Sequence, residues 1–433
     1  MKRYFRNKYG RAALAGLLLF AVSCKKDYED PSGPSFDEGV STPNALTNIA
    51  VGLQNWHSAN RTSLVYTTIA ASSLLTGETY VVNAGNTDEN QLYLGGNNVQ
   101  NTNVIVTGMW GYANKIIFDA NRVLNNTGTV VSDPNYASGL IAYTSMYKAL
   151  AIGTMATFWN YVPDTTGLDL DVSFISSQQG FRKAIAIIDN ALATVNANAI
   201  SATFTRNIPA GIDIVNTLNA LKARYALFAG DYELALATAD KVSLTAVSAF
   251  NYNTLTTNPI FTLVTATNNI YQVVDSTMSL PLGLRPDPAD KRYPFYVTIS
   301  SNPRFRVKGF YTANIQSIPV FLPGEMTLIK AECYARLNDL ANGLTELNKV
   351  VTKQPSADAA GVGAGLTAET AATVDELLNL IYKHRRIELF MGGLALEDER
   401  RFGRPQTERK RTYFPFPFVE RNDNSNTPED PAN

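Results

Sequence analysis

Two stretches of this chain combine aromatic rings with polar side chains in a way that suits a hydroxyl-rich ligand. The first offers Tyr80, Asn83, Asp88, Asn90, Gln91 and Tyr93; the second offers Arg285, Arg292, Tyr293, Tyr296 and Tyr311. A sugar presents apolar C–H faces and a rim of hydroxyls. Flat aromatic platforms edged by amide, carboxylate or guanidinium groups match both. The assignment is regional, because tyrosines also pack in cores. Trp56, Trp110 and Trp159 lie on helical patterns and are assigned to the core.

Other chemistries have less support. Glu78 and Asp88 could form the acid pair of a glycoside hydrolase, which needs two carboxylates flanking one bond. His57 and His384 are the only histidines and lie far apart, which weakens a histidine base or a multi-histidine metal site. Asp164, Asp169 and Asp171 could offer oxygens to calcium, but they lack the spacing of an EF-hand loop and read better as a polar turn. No metal or cofactor is expected. With 37 basic and 38 acidic residues the net charge is −1, and the absence of a basic stripe argues against a nucleic-acid partner.

The N-terminus carries a separate signal. Lys2, Arg3, Arg6, Lys8 and Arg11 precede an apolar run from Ala12 to Val22, then Ser23 and Cys24. A basic segment, a short apolar core and a small residue at a boundary make a secretory signal, too short to span a bilayer. Cys24 stands where a bacterial lipoprotein signal places the residue that is cleaved and acylated. Residues 1–23 are therefore expected to be a lipoprotein signal peptide, and 24–40 a lipidated flexible leash. Lys25-Lys26-Asp27-Tyr28-Glu29-Asp30 resembles the signal that sends some Gram-negative lipoproteins to the cell surface. With Cys24 acylated, Cys333 has no disulfide partner and reads as a small buried hydrophobe.

The elements that must position the two stretches are mainly helical. Phe181, Ala184, Ile185, Ile188, Ala191, Leu192 and Val195 follow the spacing of one buried helix face. Asn114 to Leu124 and Tyr143 to Trp159 are helix-like, and Pro163 is expected to close the latter. Residues 213–242 read as a tetratricopeptide-like hairpin, with Gly230 ending one helix and Asp231 capping the next. A second hairpin begins at Pro323 and turns at Asn338-Asp339. Residues 105–125 with 136–159 suggest another pair, which 176–196 could join, and such pairs must stack to bury both faces. Residues 76–104 and 245–322 break the pattern as long irregular segments, the latter with short β-like runs at Ile270 to Val274 and Phe295 to Ile299. Gly361-Val362-Gly363-Ala364-Gly365 reads as a flexible linker.

The last ninety residues resemble a known family. His384-Arg385-Arg386-Ile387-Glu388-Leu389, then Asp398-Glu399-Arg400-Arg401-Phe402-Gly403, then Phe414-Pro415-Phe416-Pro417 with Glu420 and Asn422, resemble the C-terminal signature of the SusD/RagB nutrient-binding lipoproteins. Trp110-Gly111-Tyr112 through Ala120-Asn121, Phe158-Trp159-Asn160-Tyr161-Val162-Pro163 and Asp290-Lys291-Arg292 agree with it in order. Gly392 and Ala395 depart from the family's usual Glu and Arg, and His384 and Phe402 replace a common Glu and Trp. Physically the signature reads as structure: Arg385 with Glu388, and Asp398 with Arg401, stand one helical turn apart and can pair.

The resemblance implies a mainly α fold, SusD-like, with tetratricopeptide-like helix pairs at about 105–244 and 323–391, a loop-rich second half and short β-hairpins. It implies one domain over 41–433, with ligand-face loops at 76–104 and 245–322. It further implies a non-catalytic binder of an oligosaccharide or peptide, acting as lid to a SusC-type TonB-dependent transporter and lipid-anchored on the outer membrane facing the exterior. The alternatives are a surface glycoside hydrolase and a periplasmic protein-binding scaffold, since tetratricopeptide arrays usually bind proteins.

Overall fold

A computed structural model describes residues 38–167, 169–265 and 270–432. Cys24 and the signal before it lie outside the described residues, as does most of the 24–40 segment. The chain opens with α1 (Pro43–Ser58) and α2 (Leu64–Leu75), capped by the hydroxyls of Thr42 and Ser63. Strand β1 (Thr79–Val81) and helix α3 (Thr87–Leu94) follow, so the first irregular segment is partly ordered. Then come the long helices α4 (Val104–Val130) and α5 (Pro134–Phe158). Asn103 caps α4 by accepting from the Ile105 and Val106 N–H groups, and Pro134 fits the first turn of α5, where no N–H is needed.

Helix α5 is buried on nearly every side, because α4 covers one flank and α6 (Ser177–Ala197) the other. Two of its glycines permit this. A Cβ at Gly153 would overlap the Tyr225 ring, and one at Gly139 would overlap Phe204 on the short helix α7 (Ala202–Arg206). Proline does not close α5: the helix ends at Phe158, and Pro163 lies in β2 (Tyr161–Pro163), paired antiparallel with β3 (Phe174–Ser176). Ser176 then starts α6 through a capping box with Gln179.

Both expected hairpins form. Helices α8 (Ile214–Phe228) and α9 (Tyr232–Ala239) join at Gly230, whose φ of 79° is the left-handed conformation of a helix C-terminus. The Asp231 N–H reaches back to the Ala226 carbonyl at 2.8 Å, but its side chain does not cap α9, contrary to expectation. Later, α12 (Pro323–Arg336) and α13 (Leu340–Val351) turn at Asn338, φ 62°, with Asp339 bonded to the Tyr334 carbonyl at 2.8 Å. Here the Asp339 carboxylate does accept from the Asn342 N–H, at 3.1 Å. Helix α9 packs on α12, so the hairpins stack, and α14 (Val374–Glu388) covers α12 and α13. Leu328, Leu347, Val350, Leu377 and Ile381 form the core there, each worth about 1.5–3 kcal/mol on full burial.

Between the hairpins run β4 (Ala249–Phe250), α10 (Phe261–Val264), β5 (Tyr271–Val273), α11 (Arg292–Tyr296), β6 (Val297–Ile299), β7 (Phe305–Val307) and β8 (Ile318–Pro319). The strands pair two by two: β1 with β5, β4 with β8, β6 with β7. Helices α15 (Ala395–Arg401) and α16 (Phe418–Asp423) complete the chain.

The glycine-rich run 361–365 is not a flexible linker. Val362 and Ala364 are fully buried, and a Cβ at Gly363 would come within 2.6 Å of the backbone at Gln354 and Pro355. The glycines allow close backbone approach rather than freedom.

The signature helices also pair differently from the one-turn reading. Arg385 bonds Asp398 at 3.0 Å, not Glu388. Glu388 instead receives Arg292 at 3.1 Å and Lys353 at 2.8 Å. Asp398 and Arg401 do pair, at 2.6 Å, and Arg401 also grips Glu332. These groups are buried, so they bind α12, α14 and α15 into one unit. Phe414 stacks on Phe158 and Phe416 meets Trp110 edge-on, which fastens the C-terminal segment to α4 and α5.

Candidate functional site

The two irregular stretches meet. Tyr80 of β1 lies opposite Gln272 of β5. The Gln272 carboxamide accepts from the Val307 N–H at 2.9 Å and donates to the Val264 carbonyl, tying β5 to β7 and α10. Tyr80 is half-buried on this support. Asn83 is exposed and closes a turn by accepting from the Gly85 N–H at 3.0 Å, while Asn90 lies half-buried on α3. Asp88 accepts from the Val104 N–H at 2.8 Å, so its carboxylate fixes the start of α4. Tyr93 is half-buried, with the Lys410 ammonium 3.6 Å from its ring centroid; burial pushes the Lys410 pKa down to about 8.

The second stretch divides. Arg285 is exposed, and Tyr293 is half-buried with its hydroxyl oxygen enclosed and unbonded. Arg292, Tyr296 and Tyr311 are core residues, not a surface platform. Arg292 is fully buried and spends its guanidinium on Asp290 at 2.7 Å, Glu388 at 3.1 Å and the His384 ring at 2.7 Å. Tyr296 and Tyr311 donate their hydroxyls to the carbonyls of Glu388 and Met391, at 2.6 and 2.7 Å. The Glu78 carboxyl is buried beside Arg386 at 3.7 Å, and Asp88 is committed to Val104, so these two do not flank a common opening. Asp164 pairs with Lys183 at 3.1 Å, and Asp171 accepts from the Ser425 N–H and hydroxyl; among the described residues no three acidic, histidine or cysteine side chains converge as metal ligands.

What the structure adds is an open polar cleft of about 510 Å³ beyond α3. Asn97, Gln100 and Asn101 line one side; Arg411, Pro415 and Asp430 line the other. Its walls are held from several directions. The Gly96 N–H donates to the Lys410 carbonyl at 2.8 Å, and Arg411 returns a bond to the Gly96 carbonyl at 2.7 Å. The Trp159 indole donates to the Pro415 carbonyl at 3.0 Å, and the Phe418 N–H to the Asn101 carbonyl at 3.0 Å. Asp430 receives the Phe416 N–H at 2.9 Å and Arg421 at 2.7 Å.

Arg411 is 5% exposed, and burial lowers its pKa, against a smaller opposing pull from Asp430. Two of its five donors go to the Tyr413 and Gly96 carbonyls. Arg411 and Asp430 line the same cleft without forming a direct ion pair. A hydroxyl between them can accept from the guanidinium and donate to the carboxylate, which is the dual role a sugar diol performs. Asn101 and Gln100 add amide groups at the rim. The Asn-rich run 97–101 was visible in the sequence, but its partners lie more than three hundred residues away, with no spacing that ties them to it.

No protein-family model and no curated protein matches the sequence. Solved structures match the fold. A SusD superfamily protein from Bacteroides fragilis superposes with a TM-score of 0.71 at 15% identity, over 90% of this chain and 99% of that one. One from Bacteroides thetaiotaomicron gives 0.70 at 16% identity, over 90% and 100%. A SusD-like carbohydrate binding protein from Bacteroides vulgatus gives 0.66 at 18% identity, over 84% of each. Across nearly its whole described length, this chain carries the fold of the SusD superfamily.

Proposed function

We propose that this chain is a non-catalytic nutrient-binding lipoprotein of the SusD/RagB type. It captures an oligosaccharide in the cleft between residues 97–101 and 411–430. It then delivers the ligand, as a lid, to a SusC-type TonB-dependent transporter. Lipid on Cys24 holds it on the outer membrane, facing the exterior. The observation that carries the reading is the cleft itself: a buried guanidinium and a carboxylate share an opening edged by three amide side chains. Two similar structures are called carbohydrate binding or sugar binding proteins, which supports the ligand class.

A glycan array probed with the purified chain tests the ligand. Saturable binding of an oligosaccharide without product release is expected; turnover would favour a hydrolase, and silence on glycans with binding of peptides would replace the ligand class. Purification of the native complex is expected to recover a TonB-dependent barrel. Cys24→Ala is expected to abolish uptake by cells while leaving affinity in solution unchanged.

A further inference from the structure

Five arginines are buried among the described residues, and four of them sit on carboxylates. Arg224 holds Glu325 at 2.6 Å, Arg292 holds Asp290 at 2.7 Å, Arg385 holds Asp398 at 2.9 Å and Arg386 holds Glu399 at 2.7 Å. Arg411 is the exception. Among the described residues its hydrogen bonds go only to the Tyr413 and Gly96 carbonyls, at 2.6 and 2.7 Å. A carbonyl satisfies an N–H, but it does not supply the opposite charge that offsets the burial of a cation.

The uncommitted part of Arg411 belongs to the cleft. Nε and Nη1 donate to the two carbonyls, whereas Nη2 makes no hydrogen bond among the described residues and is not enclosed. The residue is 5% exposed and lines the cleft, so Nη2 reaches solvent through that opening. Asp430, the acid on the cleft wall, is already engaged by Arg421 at 2.7 Å and by the Phe416 N–H at 2.9 Å. Lys410, next in the chain, also has no carboxylate partner among the described residues; its ammonium lies 3.6 Å from the Tyr93 ring centroid. Two adjacent cations therefore lack a counter-charge on this side of the fold.

We infer that the cleft selects an acidic oligosaccharide over a neutral one, with a carboxylate or sulfate of the sugar accepting from Arg411 Nη2. This rests on the cleft being the oligosaccharide site, and it adds the charge of the ligand. An anionic group on a guanidinium makes hydrogen bonds about twice as strong as neutral ones. It also brings the counter-charge that Arg411 lacks. A hydroxyl of the same sugar can still donate to Asp430, so an acidic sugar uses both walls.

A glycan array carrying uronate and sulfated oligosaccharides beside neutral ones, probed with the full chain, is the first test; the strongest hits should be acidic. Calorimetry then compares the best acidic hit with its neutral derivative, the methyl ester of a uronate or the desulfated form of a sulfated sugar. Which derivative loses affinity identifies the anion. The acid should bind at least about tenfold more tightly, and added salt should weaken the acid but not the neutral form. Arg411→Gln should erase the difference. Equal affinity for the two forms, or hits confined to neutral glycans, would overturn the inference. In that case the oligosaccharide site itself would stand if Asn101→Ala still weakened binding. Binding of no glycan at all would overturn both. An acid preference unchanged in Arg411→Gln would remove Arg411 from the role. If that variant fails to fold, the matched pair and its response to salt still decide.

Discussion

Glu78 offers the sharpest electrostatic test. It sits under the fold at 1% exposure, and Arg386 stands 3.7 Å away but is itself bonded to Glu399 at 2.7 Å. Burial raises its pKa from 4.5 to about 7, and the Arg386 charge and the Met391 main chain offset only part of that. The folded state therefore keeps a proton on Glu78 that the unfolded state releases. A raised carboxyl pKa stabilises the fold below the unfolded value, and that contribution is lost as pH rises from about 4.5 through 7. At 1.36 kcal/mol per pKa unit the loss reaches roughly 3 kcal/mol by pH 8. Glu78→Gln has nothing to titrate. Its buried amide shifts stability only by a constant amount at every pH, so the slope is the test. Urea unfolding of both chains from pH 4 to 8 should show the variant gaining on the native chain by about 3 kcal/mol across that range. A stability difference that stays flat with pH, or grows in the opposite sense, would refute the placement of an undercompensated buried carboxyl at this position.

Other predictions follow from the same packing. Asp398→Asn leaves Arg385 and Arg401 without a shared buried carboxylate and should cost about 3–5 kcal/mol in urea unfolding. Burial raises the Asp398 pKa, but the two arginines outweigh it and hold it below the ordinary value, so its contribution is present above the unfolded pKa and disappears as pH falls through the folded one. Gly153→Ala should cost about 1–3 kcal/mol, measured by thermal melting, because its Cβ meets the Tyr225 ring. Gly324→Ala should cost a similar amount, about 1–3 kcal/mol, since its Cβ overlaps the Glu388 carboxylate that holds Arg292 and Lys353.

Helix periodicity made the scaffold legible. The buried face of α6 and both hairpin turns follow from apolar spacing and from residues suited to a left-handed turn, Gly230 and Asn338. The signature helices were legible as structure, but their partners were not: Arg385 and Glu388 face different neighbours because tertiary contact outranks a one-turn pairing once both groups are buried. The site was harder to read. Arg292, Tyr296 and Tyr311 have the composition of a binding surface, yet the irregular stretch that carries them folds inward. Residue type alone does not distinguish a tyrosine that offers its ring to a ligand from one that donates its hydroxyl to a core carbonyl. The glycine run 361–365 has the composition of a linker for a related reason, since closely packed backbones and free ones both exclude side chains. The cleft joins residues 97–101 to residues 411–430, which are brought together by the aromatic anchoring of Phe414 and Phe416 and by main-chain bonds from Gly96 and to Asn101.

The most direct test of the cleft as the ligand site is calorimetric titration of an array-selected oligosaccharide into the native chain and into Asn101→Ala. Asn101 lines the cleft at partial exposure, and the bond that holds its segment comes from its main-chain carbonyl, which the substitution retains. Affinity should fall by roughly tenfold, the loss of about one hydrogen bond, with the melting temperature unchanged. Undiminished affinity in Asn101→Ala, with the same result for Gln100→Ala, would contradict the account and move the ligand elsewhere on the fold.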